Sequence, residues 1–178
     1  MSVRSTILAE MEKVAKEQDK TLAPLTDDLV LINSGLDSLA FAVLVVRLEG
    51  ELGVDPFTIG DLAAEVTTST NADEIVLVES AGGVRSPLAA DGDTVSLVLA
   101  LQPALVILVA DAELGTLNLV RLSIDALTGQ RVVVYLNRFN GDDELHSRNR
   151  DWLVTREGLE VVTDPEALEH VVAALADR

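Results

Sequence analysis

The sequence predicts a small helical unit followed by a partial parallel α/β sheet, an α+α/β architecture. Three observations carry this. Residues Arg4 to Gln18 and Leu39 to Leu52 are two apolar-rich stretches of helical length, joined by a loosely patterned loop. From about Asn71 onward, continuous apolar runs alternate with amphipathic stretches, the order expected of buried strands and crossover helices. Between the two, Val66 to Asn71 is rich in Thr, lacks apolar periodicity and reads as a linker, dividing the chain into 1–67 and 68–178. With 178 residues and 48% hydrophobic content, the chain has room for two small cores.

In the first helix, Ile7, Leu8, Met11, Val14 and Ala15 recur at helical spacing, with Glu10, Glu12, Lys13, Lys16 and Glu17 on the other face. The pattern then loosens around Pro24, Asp27, Asp28 and Gly35, while Leu25, Leu29 and Ile32 can tuck the loop against a core. Asp37 and Ser38 stand where the next helix begins; Gly53 and Pro56 end it. Both side chains are of the kind that caps a helix, and capping is one reading of the pair.

The other reading is chemical. Gly35-Leu36-Asp37-Ser38-Leu39, opening a helix after an amphipathic segment and a long loop, resembles the attachment site of acyl carrier proteins. A serine at a helix start is exposed, and the helix dipole favours a phosphodiester there. The resemblance implies that Ser38 receives 4'-phosphopantetheine from a separate transferase using coenzyme A and magnesium, and that Asp37 helps orient metal and serine. It implies a second partner too, an acyl- or aminoacyl-loading enzyme with a basic docking patch, and a carrier that itself catalyses nothing. Two features depart from the family. Leu39 through Val46 is uninterruptedly apolar where carriers display carboxylates, with only Glu49 and Glu51 following, which implies an unusual partner or a helix covered by another domain. Gly53 to Phe57 runs almost directly into Thr58-Ile59-Gly60-Asp61-Leu62, which resembles the carrier's last helix, so the third helix is shortened away.

In the second unit, strands are expected at Glu74 to Val78, Ala104 to Ala110, Val132 to Leu136 and Leu159 to Val162. Helices are expected near Thr94 to Leu101, Thr116 to Leu127, Glu144 to Arg156 and Pro165 to Asp177. Ligands of such sheets bind beyond the carboxyl ends of the strands. There the sequence places Glu79-Ser80-Ala81-Gly82-Gly83-Val84, then Asp111 to Asn118, then Asn137-Arg138. Together these resemble the carboxyl half of dethiobiotin synthetase, an ATP-dependent ligase of the P-loop type. The resemblance implies a magnesium-binding role for Glu79 and a phosphate-approaching turn at Gly82-Gly83. It also implies a substrate-carboxylate site at Gly115, Thr116, Leu117 and Asn118 across a dimer interface, and an adenine contact at Asn137. Simpler readings stand beside these: a solvated strand end, a turn and a helix cap. Ser80 replaces the family's usual glycine.

The P-loop half itself is absent. No Gly-x-x-x-x-Gly-Lys-Ser/Thr string occurs, and the only lysines, Lys13, Lys16 and Lys20, belong to the first unit, so ATP and magnesium are doubtful cofactors. His146 and His170 fall in amphipathic helices and read as surface residues. A formal charge of -17 argues against nucleic acid and for basic partners. Cysteine is absent. The stretch Val95 to Ala110 is broken by Gln102-Pro103 and falls short of a membrane span. Met1 to Ala9 lacks a secretory apolar run, making cytoplasm the expected location. An unpaired sheet edge would favour a homo-oligomer.

Overall fold

Helix α1 (Val3–Glu17) starts at Ser2, whose hydroxyl accepts from the Ser5 N–H at 3.2 Å. Its buried face, Met11, Val14 and Ala15, packs on Leu36, Ala40 and Leu44, the last two from α2 (Ser38–Leu52). Arg47 of α2 reaches back to Glu17 with both guanidinium nitrogens, at 3.1 and 2.5 Å. Glu10, expected on the solvent face, is buried. It is paired there with Lys13 and lies 3.9 Å from Arg47, so a charge expected in water is instead met by two cations. The computed structural model describes residues 2–53, 56–70, 75–80 and 82–176.

A capping box opens α3 (Ile59–Thr68): the Thr58 N–H donates to Asp61 Oδ2 at 2.8 Å, and the Asp61 N–H donates to Thr58 Oγ1 at 3.1 Å. This helix, which the sequence joins to the first unit, packs on α4 (Thr94–Leu101) in the second. Its first N–H, from Ile59, donates to Asp91 Oδ1 at 2.8 Å, and the Ala90 N–H donates to the Phe57 carbonyl at 3.1 Å. Asp91 lies in the turn of a small antiparallel hairpin, β1 (Pro87–Ala89) and β2 (Gly92–Asp93). Sequence reading missed that hairpin, although Asp91-Gly92 is a hairpin signal.

Asp93 caps α4. Its Oδ1 accepts from the Ser96 N–H at 2.9 Å and its Oδ2 faces Arg85 at 3.1 Å. The backbone bond first, then the guanidinium, lower its pKa from 3.8 to about 2. A lowered carboxyl stabilises the fold above its unfolded pKa and loses that contribution as pH falls through the folded value. Asp93→Ala should therefore lower the urea midpoint at pH 7, and the gap from the native chain should close between pH 3.8 and about 2. Urea titrations at a series of pH values check this.

The larger core belongs to a three-stranded parallel sheet of β3 (Val106–Asp111), β4 (Val132–Asn137) and β5 (Glu160–Val162), with β4 central. Register runs from Val106↔Val132 to Asp111↔Asn137. Helices α5 (Thr116–Ala126), α6 (Glu144–Thr155) and α7 (Pro165–Ala176) follow the strands in turn. Leu108 and Ala110 of β3 and Val134 and Leu136 of β4 pack with Val120 of α5 and Leu153 of α6. The expected first strand is not formed over residues 75–78; Glu74, its expected first residue, lies outside the described residues. Residues 75–80 pair with no strand, and Ile75 to Val78 are between 42% and 77% exposed. Val109 of β3 is 57% exposed as well. Among the described residues no helix is long and apolar enough to cross a membrane.

Candidate functional site

Gly35 sets the geometry of the attachment loop. It adopts φ +92°, and a Cβ built on it would stand 2.2 Å from the Thr21 carbonyl oxygen. The segment before it is held from both sides: the Ala23 N–H donates to the Ser34 carbonyl at 2.9 Å, and the fully buried Ser34 accepts the Leu36 N–H on its hydroxyl at 3.3 Å. Leu36 then drops into the α1–α2 core and the chain turns upward into α2.

Asp37 is the N-cap and Ser38 the first helical residue. One Asp37 oxygen accepts from the Ala40 N–H at 2.9 Å; the other meets Lys20 Nζ at 2.5 Å. The ammonium first, and the backbone N–H second, hold this carboxyl below its ordinary 3.8. Capping thus falls to Asp37, and Ser38 is left exposed, with no hydrogen bond from its hydroxyl to the described residues. Lys20, half-buried beside the cap, is a neighbour that the loop pattern did not reveal.

Ser38 lies on the lining of a cleft of about 750 Å³. One wall is α2, with Phe41, Ala42, Val45 and Val46. The opposite wall is Pro56, Phe57 and the first strand of the hairpin, Pro87 to Ala89. Glu79 lines the same cleft as the expected acceptor serine and Asp37. Among the described residues no group of three His, Cys, Asp or Glu side chains could hold a metal ion.

The remaining predicted residues form separate places. Gly82 has φ +87°, and the neighbouring Gly83 N–H donates to Ser86 Oγ at 2.9 Å, so this turn has its amide donor occupied within the chain. At the carboxyl ends of β3 and β4, Asp111 and Asn137 are register partners, which places the Gly115 to Asn118 helix start and Asn137 along one sheet edge. Gly115, at φ +98°, is the N-cap of α5 and leaves its first turn without a side-chain cap. Thr116 is buried with its hydroxyl unpartnered, Leu117 packs on the core, and Asn118 is exposed. Asn137 Oδ1 accepts the Arg138 N–H at 3.0 Å.

His146 corrects the surface reading. It is buried, its Nδ1 accepts the Asn140 N–H at 3.0 Å, and its Nε2 points to Glu113 at 3.4 Å. Asn149, one turn on, donates to the carbonyls of Ala112 and Glu113 at 2.9 and 3.2 Å and so clamps the loop leading to Gly115. The spacing His146, Asn149, Leu153 marks one buried helix face and was the available signal. His170 is exposed, as expected.

The chain thus joins an attachment-type serine at a helix start to a β3-β4-β5 sheet whose α5 begins at an uncapped glycine. Residues 56–174, about two thirds of the chain, match the model of the AAA domain. The chain belongs to the AAA domain family. Residues 5–68 match the model of the phosphopantetheine attachment site, so helix α3 is claimed by both. The chain is 34% identical over 104 residues to the ATP-dependent dethiobiotin synthetase of Mycobacteroides abscessus, covering 56% of this chain and 46% of that protein. It is 32% identical over 155 residues to that of Haloferax mediterranei, covering 80% of this chain and 66% of that protein. A third similarity, 33% over 86 residues, is to Polyketide synthase 2 of Metarhizium robertsii, covering 44% of this chain and 4% of that protein. No solved structure matches the chain. The family expectation of a phosphopantetheine-attachment region joined to a dethiobiotin-synthetase-like region therefore holds, with the chain spanning about half and two thirds, respectively, of these two synthetases.

Proposed function

We propose that the chain is an acyl carrier bearing 4'-phosphopantetheine on Ser38, with an AAA-type unit that does not by itself turn over ATP. The observation that supports this most is the division of labour at the start of α2: Asp37 takes the capping bond and the Lys20 ion pair, and the Ser38 hydroxyl is left exposed at a helix N-terminus. Those residues fit the arm. A phosphopantetheinyl transferase would join Ser38 Oγ to the pantetheine phosphate of coenzyme A. The serine proton is lost and the nucleotide bisphosphate leaves. The bound arm then supplies a thiol for acyl or aminoacyl thioesters. Loading enzymes with basic patches suit a chain of charge -17. Co-expression with a broad-specificity transferase should add one arm, read by intact mass; an unmodified mass where a control carrier is loaded would overturn the proposal.

In the second unit, catalysis of phosphoryl transfer would need donors on the β/γ oxygens, and losing one such group commonly costs about 10²–10³ in rate. This chain has no P-loop string and no lysine beyond Lys20, and the Gly83 amide is engaged by Ser86. The chain alone is expected neither to hydrolyse ATP nor to form dethiobiotin. Turnover by purified protein that is lost in Glu79→Ala would show the opposite.

A second reading has its own observation. The apolar residues Ile75 to Val78 and Val109 of the outer strand β3 are exposed. They favour a component of ATP-dependent dethiobiotin synthesis completed by a separate P-loop chain. ATP turnover appearing only on mixing the two chains would support it.

A further inference from the structure

Helix α2 is apolar around its circumference, which calls for two buried faces. One face, Ala40 and Leu44, is closed against α1: these residues, with Met11 and Val14, are no more than 3% exposed. The other face is not filled by protein. Phe41, Ala42, Val45 and Val46 line the cleft, and Val46 is 67% exposed. Ser38 belongs to this second face by helical spacing, since Phe41, Ala42, Val45 and Glu49 follow it at three, four, seven and eleven residues, all lining the cleft. That stripe extends about 16 Å along the helix from the serine. The cleft's volume, about 750 Å³, is of the size that holds small-molecule ligands.

We propose that the acyl chain carried by the Ser38 arm lies in the cleft between α2 and the β1–β2 hairpin, so that the AAA-type unit serves as the shelter of the carried thioester. The inference rests on the carrier reading of Ser38. The occupant follows from three features together: a tether point on the lining, a wall of apolar side chains from both units, and an α1–α2 core whose facing residues are already buried against each other. Its chemical class is an apolar acyl group. The charged lining residues are the three carboxylates Asp37, Glu49 and Glu79, and they disfavour an acidic cargo.

The test uses the full chain with the arm loaded, and loading verified by mass, as either acetyl or octanoyl thioester. Each methylene moved from water to an apolar wall favours the sheltered state about fourfold. Octanoyl thioester on the chain should therefore be cleaved by hydroxylamine at least tenfold more slowly than octanoyl-coenzyme A, whereas the acetyl forms should react alike. Leu88→Asp, on the wall opposite α2, should remove the octanoyl protection. A photoreactive octanoyl analogue on the unaltered protein gives a readout independent of any variant and should cross-link to 41–49 and 86–90. Failure of the arm to attach would sink the carrier reading. Attachment with equal cleavage rates, cross-links into α1, or protection that vanishes on dilution and so belongs to a second copy, would overturn the cleft assignment while leaving the carrier reading intact.

Discussion

Ser38→Ala is expected to abolish attachment of the phosphopantetheine arm completely, while leaving helix α2 in place. The substitution removes the only oxygen that the proposed transfer uses. It removes no capping bond, because Asp37 supplies the bond to the Ala40 N–H and keeps its ion pair with Lys20. Alanine at the first helical position has high helix propensity, so thermal stability should change little. Intact mass after treatment with transferase and coenzyme A reads the chemistry, and far-ultraviolet circular dichroism reads the helix. An arm found on the alanine variant would place the acceptor at another hydroxyl and remove the basis for the functional proposal. Asp37→Ala makes a useful companion: it should weaken the start of α2 and slow attachment without abolishing it, since the nucleophile survives.

The largest effect on stability should come from Gly35→Ala. The new methyl carbon would approach the Thr21 carbonyl oxygen to 2.2 Å, and the backbone at φ +92° is itself unfavourable for a side chain. Neither party can step aside cheaply. Thr21 borders the segment whose Ala23 N–H is bonded to the Ser34 carbonyl, and Leu36, on the other side of the glycine, is anchored in the core. A cost of about 2–4 kcal/mol in the helical unit is expected, at the upper end for backbone strain combined with a steric clash. Urea unfolding followed by circular dichroism checks it. Unchanged stability would mean that the loop relaxes freely, and Gly35 would then matter for the transferase rather than for the fold. The same change should reduce arm attachment even though Ser38 is untouched, because the loop that presents the serine is distorted.

The helices of both units were legible because their apolar residues recur with a single period, and Thr94–Leu101 is bounded as expected. Two of the four anticipated strands, β3 and β4, were legible as runs of aliphatic residues, and the third, β5, as a shorter one. The first failed because hydrophobicity reports only a demand for burial. No other element meets that demand at Ile75 to Val78 among the described residues, and these four stay exposed. The hairpin was missed because β1 and β2 have three and two residues, too short for alternation to register. At the site, Asp37 and Ser38 could be read from a local string, and their roles separated only when the Lys20 and Ala40 contacts were visible. That Glu79 and Ser38 line one cleft is a relation across forty residues that no local pattern encodes. His146 and Glu10 were misread for a common reason. Polar residues on a helix are assigned to water by default, and only a partner from elsewhere in the chain, Asn140 and Glu113 for one and Arg47 for the other, reverses the assignment.

Helix α3 also bears on how far the cargo can travel. A carrier at the end of a slack tether delivers its thiol by swinging the whole domain, and its range is the sum of tether and arm. Here the Ile59 N–H donates to Asp91, the Ala90 N–H donates to the Phe57 carbonyl, and the body of α3 rests on α4, so the helix that both family models claim is moored to the sheet-bearing unit. On the proposed carrier reading of Ser38, that mooring shortens the tether, and an enzyme that collects from Ser38 would bring its active site to the cleft mouth rather than wait for the carrier to arrive.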